Sequence, residues 1–181
     1  MNKQDKILIL GSAGMVGSAI LRKILSLGFE NIIGTDYRRV GEQNTLVRNR
    51  RVDLLDPIAC QALFEEEEPD YVFVAAAKVG GIVANNTYRA QFLYENLLIQ
   101  NNVIHQAYLS KVKKLLFLGS SCIYPRNCPQ PMKESHLMSG PLEPTNSPYA
   151  VAKISGIEMC WAYNRQYGTC FIPVMPTNLY G

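Results

Sequence analysis

Four apolar residues, Ile7 to Leu10, run directly into Gly11-Ser12-Ala13-Gly14-Met15-Val16-Gly17, a GxxGxxG pattern that opens a helical periodicity. The run is continuous instead of alternating, as a parallel strand covered by helices on both faces should read. Beyond the first glycines, apolar residues recur at Val16, Ile20 and Ile24, with Ala19 and Leu27 beside them and Arg22 and Lys23 opposite, until Gly28 supplies a stop. Strand, glycine turn and helix N-terminus in that order bring free backbone N–H groups and the positive end of a helix dipole to one point, which stabilises a diphosphate. A GxxGxxG by itself can be a merely structural turn. The strand before it and the helix after it point to a dinucleotide, with Gly11 to Gly17 as the cradle.

The same alternation continues down the chain. Asn31–Thr35 reads as a second strand, followed by a polar segment from Asp36 to Asn49 and a third strand near Arg51–Leu54. Asp56 and Pro57 give an N-cap and a first-turn proline for a helix that ends before Pro69, with the acidic run Glu65 to Glu68 as its solvated face. Tyr71–Ala77, Lys114–Gly119 and Cys170–Met175 complete six strands, separated by helices over Arg89–Tyr108 and Tyr149–Tyr167. This is the pattern of an α/β doubly wound parallel sheet, a Rossmann fold, occupying residues 1–181 as one domain, with the ligand crevice at the carboxyl ends of the strands. The segment from Tyr124 to Pro148 is long for a connection and rich in proline, so it is either a lid or a disordered linker; its place beside the chemistry favours the lid.

Asp36 closes the second strand, where an acid accepts hydrogen bonds from an adenosine ribose and rejects a 2′-phosphate, as suits NADH. Arg38 and Arg39 follow at once and could instead clamp the 2′-phosphate of NADPH, or simply be solvated. Asp53 and Leu54, at the expected end of the third strand, are placed to meet adenine. Further on, Tyr149 and Lys153 stand one helical turn apart. A phenol with an ordinary pKa near 10 moves protons poorly at neutral pH, and the Lys153 ammonium beside it is expected to favour the phenolate. Ser120, in Gly119-Ser120-Ser121 after the fifth strand, would hydrogen-bond a substrate carbonyl oxygen and stabilise charge developing there.

Together these features resemble the extended short-chain dehydrogenase/reductase family. Within it the chain is most similar to the GDP-L-fucose synthase branch, through Gly14-Met-Val-Gly-Ser-Ala-Ile20, Ala75-Ala-Ala-Lys-Val-Gly-Gly-Ile-Val-Ala-Asn-Asn86, Leu116-Phe-Leu-Gly-Ser-Ser-Cys-Ile-Tyr-Pro125, Leu142-Glu-Pro-Thr-Asn146 and Met175-Pro-Thr-Asn-Leu-Tyr-Gly181. The resemblance implies epimerisation of GDP-4-keto-6-deoxy-D-mannose beside its ketone, then reduction by NADPH to GDP-L-fucose. It implies Cys122 as the epimerisation base, where the residues alone allow an inert buried thiol; catalytic Ser120, Tyr149 and Lys153; and a structural and proton-relay asparagine at Asn96. Leu118, Gly119, Ser120, Ser121, Lys153, Pro176, Thr177, Asn178 and Leu179 would line the cofactor, and a cytoplasmic homodimer would form through the helices at Arg89–Tyr108 and Tyr149–Tyr167.

Two departures from that branch qualify the expectation. The segment from Asp36 to Arg51 is longer than in the bacterial enzymes, which leaves NADPH only slightly preferred over NADH. The chain also ends at Gly181, before the family's histidine acid and its sugar-gripping domain, and neither His105 nor His136 matches that histidine. A fragment that binds dinucleotide weakly and turns over little is therefore expected. Other nucleotide-sugar epimerases, dehydratases or reductases, one for a 6-deoxy-heptose among them, share the glycine and Tyr-Lys motifs. A non-catalytic dinucleotide sensor would need only the fold.

Several classes are disfavoured. A net charge of +3 with dispersed basic residues lacks a nucleic-acid footprint. Five irregularly spaced cysteines, Cys60, Cys122, Cys128, Cys160 and Cys170, fit neither a disulfide framework nor a metal site and suit a reducing cytoplasm. Asp5 and the regular glycines speak against a signal peptide, and the apolar stretch Tyr71 to Ala84, broken by Lys78, is too short to span a bilayer.

Overall fold

The computed structural model describes residues 1–37 and 45–180. Strands Ile7–Leu10 (β1), Ile32–Asp36 (β2), Val47–Arg51 (β3), Tyr71–Val74 (β4), Lys114–Leu118 (β5) and Phe171–Val174 (β6) form one sheet in the order β3-β2-β1-β4-β5-β6. Every neighbouring pair is parallel. The helices are Met15–Ser26 (α1), Pro57–Glu67 (α2), Ile82–Thr87 (α3), Arg89–Leu109 (α4) and Ser147–Tyr167 (α5). This is the doubly wound sheet expected from the sequence.

The strands divide their side chains by parity. Leu8, Leu10, Val72, Val74, Leu115 and Phe117 face a core shared with Leu63 and Phe64 of α2, Val103 and Ile104 of α4 and Ile157 of α5. Ile7, Ile9 and Ile32 face the other way, where Ile24 of α1 and Phe29 cover them. All four residues of β1 are therefore fully buried, which is why that strand reads as an unbroken apolar run. Burial of each large side chain contributes about 2 kcal/mol relative to exposure. Among the described residues no helix is long and apolar enough to cross a membrane.

The third strand departs from the expectation. It occupies Val47–Arg51, earlier than the expected Arg51–Leu54, and pairs Val47 with Ile32 and Arg51 with Asp36. Its sequence, VRNRR, carries no strand pattern of its own; the β2 edge and two acids of α2 hold it. Arg48 Nη2 lies 3.0 Å from Glu67 Oε2, and Arg50 pairs with Glu66 and, at 2.7 Å, with Glu67 Oε1. Glu67 is only 4% exposed, so the acidic run is not the uniformly solvated face its composition suggested. Asp56 caps α2 as expected, its Oδ1 accepting from Ile58 N at 2.8 Å. Short α3 was not anticipated, and α5 starts at Ser147, ahead of Tyr149.

The proline-rich segment is an ordered connection, which removes the disordered-linker alternative. Arg126 N donates to Pro141 O at 2.9 Å and closes the segment on itself, while the Arg126 side chain meets Glu143 at 3.2 Å. Arg89 ties its far end to α4, donating to Pro144 O at 2.7 Å and Ser147 Oγ at 3.0 Å. Glu67→Ala is expected to lower unfolding free energy by about 2 kcal/mol in urea denaturation, because two arginines lose a charge-assisted partner, whereas Glu65→Ala should change it by under about 0.5 kcal/mol.

Candidate functional site

β1 and its neighbours β2 and β4 end side by side, Leu10 standing between Thr35 and Val74. The strand order reverses at this point, since the chain after β2 runs outward to β3 and returns through α2 to β4. Gly11 has φ +80°, and a Cβ on it would lie 2.8 Å from the backbone nitrogen of Ala76. A Cβ on Gly17 would lie 2.0 Å from the Gly11 carbonyl oxygen. Both positions therefore admit only glycine, and the chain turns there from β1 straight into α1. The first helical N–H groups lack intrahelical partners, and no acid stands in that first turn to compete for an anion.

The turn opens onto a groove of about 950 Å³ lined by Gly11, Gly14, Met15, Val16 and Gly17, with Asp36 on one side and Asp53 and Leu54 on another. That volume lies in the range of cofactor sites. Although β3 ends sooner than expected, the loop beyond it still brings Asp53 and Leu54 to the groove. Ser12 is turned inward, 3% exposed, with Oγ and backbone N both donating to Thr35 O, at 3.3 and 2.9 Å, so it braces the turn against β2. Ala13 stands in the same turn. Arg38 and Arg39 lie outside the described residues. A diphosphate fits this cradle on the chemistry of its donors: glycine-only backbone, free helix N–H groups and no competing acid.

A second cluster forms where β5 ends. Lys153 is 3% exposed; its Nζ donates to Leu118 O at 2.8 Å and sits 4.8 Å from the Phe117 ring centroid and 5.8 Å from that of Tyr149. Burial pulls its pKa down to about 8, against a smaller upward pull from Cys122. Burial likewise pushes Tyr149 up to about 12, with the neighbouring Cys122 adding to the rise. This is opposite to the direction expected from the Tyr-Lys spacing: desolvation dominates at the phenol, and the Lys153 ammonium gives its hydrogen bond to a carbonyl. Cys122 is raised by burial and lowered by Ser120 and Lys153. Its backbone N makes a long 3.5 Å contact to Ser120 Oγ. The structure thus gathers Ser120, Cys122, Tyr149 and Lys153 at the end of β5.

The remaining expected residues divide. Leu118 supplies the carbonyl for Lys153, and Gly119 N bonds to Val174 O at 2.8 Å, fixing the β5 end against β6. Ser121 opens a short 3₁₀ turn over Ser121–Ile123 that carries Cys122. Pro176 is half-buried, and Thr177 and Asn178 are exposed. Leu179 lies away from the 950 Å³ groove; it lines an apolar recess of about 570 Å³ with Met15, Ile20 and Phe29. Asn96 is buried and clasps the Lys78 backbone, its Oδ1 accepting from Lys78 N and its Nδ2 donating to Lys78 O, both at 3.0 Å.

Sequence reasoning missed the far wall of the groove. Lys78 and Glu95 line it and pair at 3.3 Å, and one turn away Phe92 meets Tyr149 edge-on at 6.4 Å. The charge of Lys78 inside an apolar run was the available signal. Among the described residues no group of three or more His, Cys, Asp or Glu could hold a metal ion.

Because the folded pKa of Lys153 is depressed from 10.5 to about 8, the unfolded chain holds a proton through that window that the folded chain has released. Stability therefore gains from Lys153 as pH rises from 8 to 10.5. Urea denaturation should show the parent gaining stability relative to Lys153→Met between pH 7.5 and 9.5; a constant difference would refute the depressed pKa.

Residues 7–181 match the model of the NAD dependent epimerase/dehydratase family. A GDP-L-fucose synthase of Escherichia coli K12 is 52% identical over 182 aligned positions, covering 100% of this chain and 52% of that protein. A GDP-D-glycero-L-gluco-heptose synthase of Campylobacter jejuni, solved in the presence of NADPH, superposes with a TM-score of 0.90 at 41% identity, covering 100% of this chain and 49% of that one. A GDP-mannoheptose C4 reductase from the same organism, with NADP bound, gives 0.90 and 41% over 100% and 54% of the two chains. The chain spans about half the length of the curated relatives it matches. With its phosphate turn at the strand-order reversal and its Tyr-Lys helix beside β5, the chain belongs to the NAD dependent epimerase/dehydratase family.

Proposed function

We propose that this chain is the cofactor-binding portion of an NADPH-dependent epimerase/reductase that converts GDP-4-keto-6-deoxy-D-mannose to GDP-L-fucose. The observation that carries the reading is the placement of Cys122, on the 3₁₀ turn that follows Ser120, at the same end of β5 where Lys153 binds Leu118 O and faces the Tyr149 ring. Reduction alone needs only the phenol and ammonium; a thiol in the same cluster supplies a base for carbons beside the ketone. The Escherichia coli relative supports the sugar by its name. A GDP-heptose reductase is the second reading, favoured by the two Campylobacter structures. A cytoplasmic homodimer belongs to the same proposal and rests on the family resemblance.

A nicotinamide dinucleotide, when held by the Gly11–Gly17 turn, would supply the hydride. Ser120 and Tyr149 hold the ketone oxygen, which acidifies the protons on the adjacent carbons. Cys122 takes such a proton at Sγ; burial raises its thiol, and Ser120 and the Lys153 charge oppose that rise. Tyr149, kept protonated by burial, gives its phenolic proton to the oxygen as the ketone is reduced. Lys153 stays fixed on Leu118 O and opposes the rise of the Cys122 thiol.

The NADP-bound relatives favour NADPH, whereas Asp36 bordering the groove favours NADH. Calorimetry with each dinucleotide decides: Asp36→Asn should raise the NADPH-to-NADH affinity ratio by about tenfold, one charge's worth of discrimination. For the chemistry, a protein carrying this chain is incubated with GDP-4-keto-6-deoxy-D-mannose and NADPH in deuterium oxide. Deuterium should enter beside the former ketone, and Cys122→Ser should abolish that entry while ketone reduction persists. Reduction with no deuterium entry in the parent protein would instead select the reductase reading.

A further inference from the structure

β3 ends at Arg51, yet the groove is lined beyond it by Val52, Asp53, Leu54 and Leu55, a loop that belongs to neither strand nor helix. Its near end is held to β2, where Val52 N donates to Asp36 O at 3.3 Å, and its far end turns towards α2 with Asp56 N donating to Asp53 O at 3.2 Å. Between them the Asp53 carboxylate accepts the Leu55 N–H at 3.0 Å. Asp53 borders the groove, and the aim of its carboxylate is set by the peptide that joins Leu54 to Leu55.

The same peptide is gripped through its carbonyl. Asn102 of α4 donates through Nδ2 to Leu54 O at 2.9 Å and to Leu55 O at 3.4 Å, one amide nitrogen with two N–H bonds meeting two successive carbonyls. Leu54 O and Leu55 N belong to one planar unit, so a bond that fixes the carbonyl also fixes the direction of the N–H that meets Asp53. Gln91, Glu95 and Ile99 recur on α4 at intervals of four and line the groove themselves, and Asn102 follows one turn after Ile99. One helix therefore forms part of the groove and sets the loop beside it.

We propose that Asn102 is a positioning residue for the base of the dinucleotide, acting through the Leu54–Leu55 peptide to aim the Asp53 carboxylate at the 6-amino group of adenine. The inference rests on the dinucleotide reading of the groove. An amino group donates to a carboxylate, whereas the carbonyl oxygen that hypoxanthine carries at the same position turns a lone pair towards it. Asn102 is half-buried and does not itself line the groove. Its removal therefore changes which base is preferred and leaves the Gly11–Gly17 turn its grip on the diphosphate.

The test is calorimetry on a protein carrying this chain, titrated with NADPH or NADH, whichever binds tighter, and with the hypoxanthine counterpart of the same dinucleotide. The parent should hold the adenine form about tenfold tighter. Asn102→Leu keeps the size and removes the donor, and the ratio should fall to about one while both dinucleotides still bind; Asn102→Asp, close to isosteric and also without the N–H bonds, should do the same. A parent ratio near one overturns the proposal, as does a parent ratio retained in the variants. Loss of both ligands in both variants overturns it too, since Asn102 would then support the fold and not the base. A parent that binds neither NADPH nor NADH removes the dinucleotide reading itself.

Discussion

The approach of backbone to backbone at Gly11 and Gly17 is the constraint on which the rest of the molecule depends. The Gly11 carbonyl occupies the space that a Gly17 side chain would need, and Gly11 itself rests against Ala76 after β4. Three segments thereby meet without intervening side chains: the end of β1, the start of α1 and the exit of β4. The N–H groups of the first α1 turn, which have no intrahelical acceptors, are thereby left without a side chain at Gly11 or Gly17 to stand over them. Ser12 adds to this by turning its hydroxyl inward to Thr35. The phosphate cradle is thus a packing consequence of the central strands before it is a chemical feature.

At the other end of the crevice, burial dominates over charge. Lys153 is enclosed by α5, the end of β5 and the rings of Phe117 and Tyr149, with one carbonyl as its hydrogen-bond partner. A buried ammonium with so little compensation loses its proton more readily, while a buried phenol keeps its own. The two shifts run in opposite directions, which separates the roles that adjacent acid and base groups can take. Cys122 stands between them: the Lys153 charge opposes the rise that burial imposes on its thiol, and Cys122 in turn adds to the rise at Tyr149.

The long helix α4 links these two ends. Its side chains Arg89, Phe92 and Asn96 recur at helical spacing and touch, in turn, the start of α5, the Tyr149 ring and the Lys78 backbone on the groove wall. Glu95 on the same helix reaches Lys78 directly. One rigid element therefore sets the separation between the groove and the Tyr-Lys pair. The proline-rich connection is fastened to that helix through Arg89 and to itself through Arg126, which keeps it ordered despite its composition.

Local physics made much of this legible in the sequence. The doubly covered strand β1, the glycine turn, the Asp56 cap and the periodicity of α1 each depend on residues adjacent in the chain, and all formed where their patterns lay. Tyr149 and Lys153 were singled out by spacing together with their place after the glycine turn and Gly119-Ser120-Ser121, and the fold sets the Lys153 Nζ 5.8 Å from the Tyr149 ring centroid. Tertiary structure decided what local pattern could not carry: β3 forms from a polar run because β2 offers an edge and α2 offers Glu66 and Glu67. It also decided the direction of the Tyr149 shift, since desolvation is a sum over everything packed around a group and not a property of the residue four places on. Leu179 shows the same division, a neighbour in motif that packs into a different recess. Sequence fixes turns, caps and periods because these are short-range; burial and ion pairing between distant segments exist only once the sheet has closed.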